Sequence, residues 1–232
     1  KRQTGINLRI QGGRSMELKE LEDLIKSRHS IRKWQDKPIS EDLLKQAIEL
    51  ASWAPNAGNQ QNWYSYIILK KEIIQSIADA VQSSADYIAS WPDVGVWHER
   101  AMRMLERAAF FRNAPALIAV ASSQYQSAVE QIISEREKTD PRAYQMKLWR
   151  SVANSRIQSV SSAIAYLLLV LHQMGLAAVW MTGPIQAKGE IEKILRVKPG
   201  LDVVALIPVG YPAETPDVKD RKQVNQISEV IK

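Results

Sequence analysis

Apolar residues recur at helical spacing along most of this chain, and the helical stretches are separated by short continuous apolar runs. Leu18, Leu21, Leu24 and Ile25 share one face of a helix predicted over 17–26. Ser40 is placed to cap a second helix whose stripe is Leu43, Leu44, Ala47, Ile48 and Ala51, and Pro55 stops it. Residues 63–69 are aromatic and β-branched and predict a strand, followed by a helix over 71–89. Residues 90–95, with Pro92 and Gly95, predict a loop able to cover a pocket, and 97–111 a helix with an Arg-rich solvated face. The run 115–121 reads as a buried strand and 125–138 as a helix ending before Asp140-Pro141. The longest helix is expected over 148–174, with Gly175 past its end as C-cap. Its 164–171 part is apolar nearly all round and predicts burial on several sides. Strands follow over 176–181 and 202–209, with a short helix at 186–195 between them. Helices alternating with strands predict an α/β or α+β arrangement of helices around one sheet.

Composition narrows the chemistry. The chain has 232 residues, 45% apolar and 24% charged, ordinary values for a globular protein with a substantial core. It has no cysteine, so disulfides, thiolate nucleophiles, iron–sulfur clusters and Cys-ligated zinc are excluded. The formal charge is +6, but residues 1–15 hold Lys1, Arg2, Arg9 and Arg14 and no acid, leaving 27 basic against 25 acidic residues elsewhere. The basic excess is an N-terminal arm, read as an upstream or appended segment that lacks the apolar core of a signal peptide. Residues 16–232 are expected to form one domain. Neither a nucleic-acid partner nor a membrane is expected, since the longest apolar stretch, 163–171, is far short of a span. A cytoplasmic location is the expectation. His29, His98 and His172 show no metal-ligand spacing with nearby acids, so no metal site is read. No G-x-S-x-G, Walker lysine or strand-borne G-x-G-x-x-G motif is present.

Several separated polar segments carry the remaining signal. Arg28, His29, Ser30 and Arg32 follow the first helix. The two arginines supply forked donors and Ser30 a hydroxyl, a set suited to a phosphate, although such a turn alone is also an ordinary cationic helix end. Pro55 and Gly58 fix a turn in which Asn56, Asn59, Gln60, Gln61 and Asn62 put five carboxamides into seven residues. Amides carry both donor and acceptor, as reading the edge of a neutral heterocycle requires, and as many polar loops also do. Thr182 and Gly183 end a strand, where glycine permits close approach of a ligand to backbone. Lys219 and Arg221 form a second cationic pair in a tail that ends in Val224, Ile227, Val230 and Ile231.

In this order the segments resemble motifs of the FMN-dependent nitroreductase family. Arg28-His29-Ser30-Ile31-Arg32 is similar to the family's early R-[RH]-S-x-[RK] element, and Ala54 through Trp63 to its A-P-S-[SA]-x-N-x-Q-P-W element. Gly175 through Gly183 resembles G-[LY]-G-x-x-W-x-x-G, Gly210 through Glu214 resembles G-Y-P-x-E, and Lys219-Asp220-Arg221 the closing K-x-R. Asn56 and Asn62 depart from the family's serine and proline, and residues 90–111 do not align with it. The resemblance implies an α+β fold with a central, mainly antiparallel mixed sheet flanked by helices, and an intertwined homodimer with two FMN molecules at the subunit interface. It implies that Arg28, Ser30 and Arg221 bind the phosphate with Lys219 nearby, that His29 belongs to the cofactor site, and that Arg32 lies near the pyrimidine side of the flavin. Pro55, Asn56, Ala57, Asn59 and Gln61 would contact the ring or ribityl, Asn56 and Ala57 from the partner, with Thr182 and Gly183 on the flavin N5 side. It further implies NAD(P)H as co-substrate, a small-molecule electron acceptor and ping-pong turnover without a catalytic side chain. The alternatives it leaves are dehalogenation, flavin breakdown, or a flavin-binding carrier or sensor without turnover.

Overall fold

The structure is a computed structural model and describes residues 17–92 and 98–232. The N-terminal arm, residues 93–95 of the expected pocket-covering loop and Trp97 lie outside them. Eight α-helices occur among the described residues: α1 (Leu18–Ser27), α2 (Glu41–Ala51), α3 (Lys71–Ala89), α4 (His98–Leu105), α5 (Ala128–Arg136), α6 (Pro141–Ala153), α7 (Ser155–Gln173) and α8 (Lys188–Leu195). Four strands, β1 (Trp63–Ile68), β2 (Ala116–Ser123), β3 (Ala177–Ala178) and β4 (Leu201–Gly210), form a sheet in the order β1-β2-β4-β3. Every pairing is antiparallel, so the fold is α+β as expected and the parallel component of a mixed sheet has no pairing among the described residues.

Both faces of the sheet are covered, which is why β2 is a continuous apolar run rather than an alternating one. Ala116, Ile118 and Val120 pack with Leu44, Ala47, Ile164, Leu167 and Leu171 from α2 and α7. Leu117, Ala119 and Ala121 point the other way, to Ile74, Ile77, Val81 and Ile191 from α3 and α8. In β4 the alternation is reset by a bulge. Val120 pairs with Ala205 but Ala121 pairs with Val203. Val204 is therefore the extra residue, and Val203 joins Leu206 on the α3/α8 face while Ala205 and Ile207 face α2 and α7. One inserted residue swaps the faces without exposing the strand.

Two expected elements are corrected. The helix expected over 148–174 is two helices, α6 and α7, broken at Asn154. Asn154 sits at φ 40°, closes α6, and accepts the Ile157 N–H through its side chain as the N-cap of α7. Asparagine is the residue best suited to a left-handed junction that also caps. The strand expected over 176–181 is reduced to Ala177–Ala178 plus a bridge between Met181 and Leu206. The register that pairs Ala177 with Gly210 and Met181 with Leu206 sets Val179 opposite Pro208. Met181 and Leu206 exchange both backbone bonds at 3.0 Å, so the next such pair toward β3 is Val179 with Pro208. Proline has no N–H to give there, and the ladder opens. The helix expected over 97–111 stops earlier, at Leu105, and continues as turns.

At the far end of the sheet Arg156, Lys188 and Asp202 tie α7, α8 and β4 together, with Arg156 Nη2 and Lys188 Nζ at 2.6 and 2.7 Å from the two Asp202 oxygens. These two cations, Lys188 first, hold the Asp202 carboxyl below its ordinary range.

Candidate functional site

The segment after α1 runs along the outer edge of β3. The Ile31 N–H donates to Ala178 O at 3.2 Å, and Trp34 Nε1 donates to Ala177 O at 3.0 Å. Ile31 is buried and anchors the segment. On the other side the strand-like stretch after β4 closes over it. Gln35 N–H donates to Tyr211 O, and Ala213 N–H to Lys33 O. Glu214 accepts the backbone N–H groups of Arg32, at 2.6 Å, and Lys33, at 3.1 Å, on one carboxylate oxygen. Charge-assisted bonds of this kind fix backbone direction, so the Arg32 and Lys33 side chains leave the segment from a clamped base.

Arg32 and Lys33 open onto a cavity of about 900 Å³ together with Thr182, Gly183 and Trp180. Its far wall is α4 and the turn after it, with Met104 and Phe110. Phe110 is set by Trp34, whose ring lies 6.3 Å away at 13° to it. Trp180 Nε1 is buried with no hydrogen-bond partner among the described residues, and its side chain packs against the core on the α2/α7 face. A side-chain carbon built on Gly183 would meet nothing within 4 Å, so the backbone there is open to approach. Arg28 and His29 line a second cavity of about 240 Å³, which shares Glu214 with the first and reaches His172 on α7. His172 Nε2 lies 2.9 Å from Ser27 Oγ. Burial, and then Arg28 and His29, hold this imidazole below the ordinary histidine value. Ser30 is half-buried between the two cavities in sequence.

The amide loop lies elsewhere. It enters β1, whose Trp63 pairs with Ser122 at the end of β2, whereas Arg28 to Lys33 flank the opposite end of β4. Six residue steps along β2, from Ala116 to Ser122, correspond to about 20 Å. Several of the loop's amides fix the loop and tie it to the end of β2 and the turn beyond. Asn56 Oδ1 accepts the Gln61 N–H, Gln60 exchanges two bonds with Gln126, and buried Asn62 bonds Ser122 and Ser123. The Ala57 N–H donates to Ser159 on α7, and Pro55 is exposed just before it. Asn59 and Gln61 differ. Both have positive φ, 51° and 46°, beside Gly58 at 61°. Both are exposed, and the Asn59 amide nitrogen and the Gln61 side-chain oxygen have no partner among the described residues. Non-glycine residues held in the left-handed region cost energy, and such strain gathers at ligand sites.

Lys219 and Arg221 lie in an exposed tail, where among the described residues the Arg221 guanidinium donates only to Lys219 O and Asp220 O. One chain thus brings Arg28, His29, Ser30 and Arg32 to one end of the sheet, places Thr182 and Gly183 just past Met181 beside the middle of β4, and leaves Pro55, Asn56, Ala57, Asn59 and Gln61 at the other end. Sequence reasoning did not single out Lys33, Trp180, Phe110 or the Glu214 clamp as parts of a site. It read Arg100, Arg103 and Arg107 as a solvated face, although their spacing of three and four was the available signal that they share one side. Among the described residues no group of three His, Asp or Glu side chains is arranged to hold a metal. No described helix is long and apolar enough to cross a membrane.

An antiparallel sheet with helices on both faces, edged by a clamped basic segment, defines the class of fold and site. The model of the nitroreductase family matches residues 25–211, so the chain belongs to the nitroreductase family. A protein of Methanothermobacter thermautotrophicus with the provisional name NADH dehydrogenase/NAD(P)H nitroreductase is 26% identical over 201 residues, covering 85% of this chain and 80% of its own. An iodotyrosine deiodinase of Thermotoga neapolitana is 29% identical over 210 residues, covering 89% and 96%. The crystal structure of a BluB-like flavoprotein from Clostridium difficile superposes with a TM-score of 0.79 at 27% identity, covering 92% of this chain and 99% of that one.

Proposed function

We propose that residues 16–232 form an FMN-dependent oxidoreductase that uses NAD(P)H to reduce nitroaromatics, quinones or similar acceptors in ping-pong order. The observation that carries this reading is the convergence of Arg32, Lys33 and the open Gly183 backbone on one cavity in a nitroreductase-family chain. The donor set fits a flavin mononucleotide: cations for a phosphate and for negative charge on a ring, and exposed amides for the ring's polar edge. The flavin name of the Clostridium difficile structure and the NAD(P)H in the name of the archaeal relative support it.

FMN, when bound, supplies hydride acceptance and donation. The chain's own residues bind and orient. Arg28 and Ser30, joined by Lys219 and Arg221, are assigned to the phosphate, with His29 beside them. Arg32 places a fixed cation where reduction builds negative charge, which favours the reduced form. Thr182 and Gly183, which line the cavity, would hold the flavin through their backbone. Each turnover carries a hydride from NAD(P)H to the acceptor. Reduction of a nitro group to a nitroso group would consume one hydride and one solvent proton and release one water, with one N–O bond broken.

The site is assigned to a homodimer. Its two halves lie about 20 Å apart along one sheet, so a second copy is needed to bring Pro55, Asn56, Ala57, Asn59 and Gln61 to the basic end. Trp53, 81% exposed, and the exposed tail residues Ile227, Val230 and Ile231 are apolar surface suited to that copy. A second reading, reductive dehalogenation, is favoured by the deiodinase relative. The test is NAD(P)H oxidation by the FMN-loaded protein with menadione, nitrofurazone and 3-iodotyrosine in turn. Oxidation driven by menadione or nitrofurazone supports the main reading, and iodide release from 3-iodotyrosine alone supports the second. No acceptor-dependent oxidation leaves a flavin carrier or sensor and refutes both.

A further inference from the structure

The far wall of the large cavity is more cationic than flavin binding asks for. Arg100 and Arg103 on α4 and Arg107 just after it line the cavity together with Arg32 and Lys33. Against five cations the described lining holds one carboxylate, Glu214, and that one already accepts two backbone N–H groups. Arg103 has a loose ion pair with Glu99 at 3.7 Å, and Arg32, Lys33, Arg100 and Arg107 make no ion pair among the described residues. The same wall is apolar between the cations, with Met104 68% exposed and Phe110 37% exposed. An apolar surface beside guanidinium groups that are unpaired or only loosely paired matches one kind of occupant: a planar aromatic that carries a carboxylate or phosphate. The ring packs on Phe110 and Met104 while the anion takes forked N–H donors.

We propose that Arg103 and Arg107 make this cavity selective for anionic aromatic acceptors over neutral ones of the same shape. The inference rests on the flavin reading above and deepens it, since it names the acceptor class. The same guanidinium groups would also attract the 2′-phosphate of NADPH or the phosphate of FMN, and the test separates these sources. Because both arginines are exposed, the preference is expected to weaken with salt.

The experiment compares 4-nitrobenzoate with the neutral 4-nitrobenzyl alcohol as acceptors for the full, FMN-loaded protein and for the Arg103→Gln/Arg107→Gln variant. The wild type is expected to favour the anion in kcat/KM by roughly tenfold, the scale of charge-assisted contacts, and the variant to lose most of that ratio. Raising NaCl should lower the ratio in the wild type as well. Binding of both compounds is measured by calorimetry on the same proteins, so a chain that oxidises no NAD(P)H still decides the question. In that case tighter binding of 4-nitrobenzoate that the variant loses supports the inference while the oxidoreductase reading fails. Equal handling of the two compounds by the wild type overturns it. So does an unchanged ratio in the variant, including one accompanied by a lost NADPH-over-NADH preference or lost FMN affinity.

Discussion

Gly210 ends β4 directly beneath the Trp34 indole, and this contact makes a quantitative prediction. A Cβ at position 210 would lie 2.6 Å from Trp34 Cδ1 and 2.7 Å from both its Cβ and Cγ. Two of these atoms are at the root of the side chain, so a rotamer change at its far end cannot relieve the clash. Trp34 is also held by its bond to Ala177 O and by the bridge to Pro212. Gly210→Ala must therefore shift backbone or release Trp34. Overpacking of this kind costs about 1–3 kcal/mol, and a lost buried hydrogen bond adds about 1 kcal/mol. We expect a loss of about 2–4 kcal/mol in urea unfolding, seen in calorimetry as a fall of roughly 5–15 °C in Tm. In a Trp34→Gly background, which removes the Cβ as well as the ring, the same substitution should cost less than about 0.5 kcal/mol, because the obstructing atoms are gone. A Gly210→Ala protein as stable as the wild type, or an equal loss in both backgrounds, would refute the contact as the cause.

Other substitutions test other parts. Asn154→Ala removes both the left-handed preference and the cap at the α6–α7 break and should cost about 1–3 kcal/mol in urea unfolding; Asn154→Gly should recover part of it, and an equal loss in both would show that the backbone angle is not at issue. Arg28→Ala should weaken FMN retention on dialysis without lowering the circular dichroism signal, and unchanged retention would remove Arg28 from the phosphate site. Asp202 titrates at a lowered value in the folded state, so its stabilisation is complete above the ordinary carboxylate range and is lost as pH falls through the folded value. The stability gap between wild type and Asp202→Asn should hold steady above about pH 5 and shrink below about pH 4; a constant gap would mean that the ion pairs contribute nothing. Removing residues 217–232 should move the protein from dimer toward monomer in sedimentation, and an unchanged dimer would free the tail from that assignment.

Much of the fold was legible because both core faces are written locally. The helix read over 71–89 has the bounds of α3, and the apolar run at 115–121 takes in the first six residues of β2. The break at Asn154 was not legible from apolar spacing, since α6 and α7 continue each other's pattern across one left-handed residue. The shortening of β3 was hidden for a different reason. Its cause, Pro208, lies about thirty residues away and acts only through pairing. At the site, Arg32 and Gly183 were legible from residue type, but the wall built by Arg103, Arg107 and Phe110 arises only when the turn after α4 packs against Trp34. The distance between the basic segment and the amide loop likewise follows from strand register, which residue types do not encode.

The most direct test of the flavin reading is the visible absorption spectrum of the purified protein, recorded before and after anaerobic addition of NADPH and then NADH. Flavin bands that bleach with either nucleotide are the predicted result. A colourless protein that cannot be loaded with FMN, or flavin bands that neither nucleotide bleaches, would contradict it.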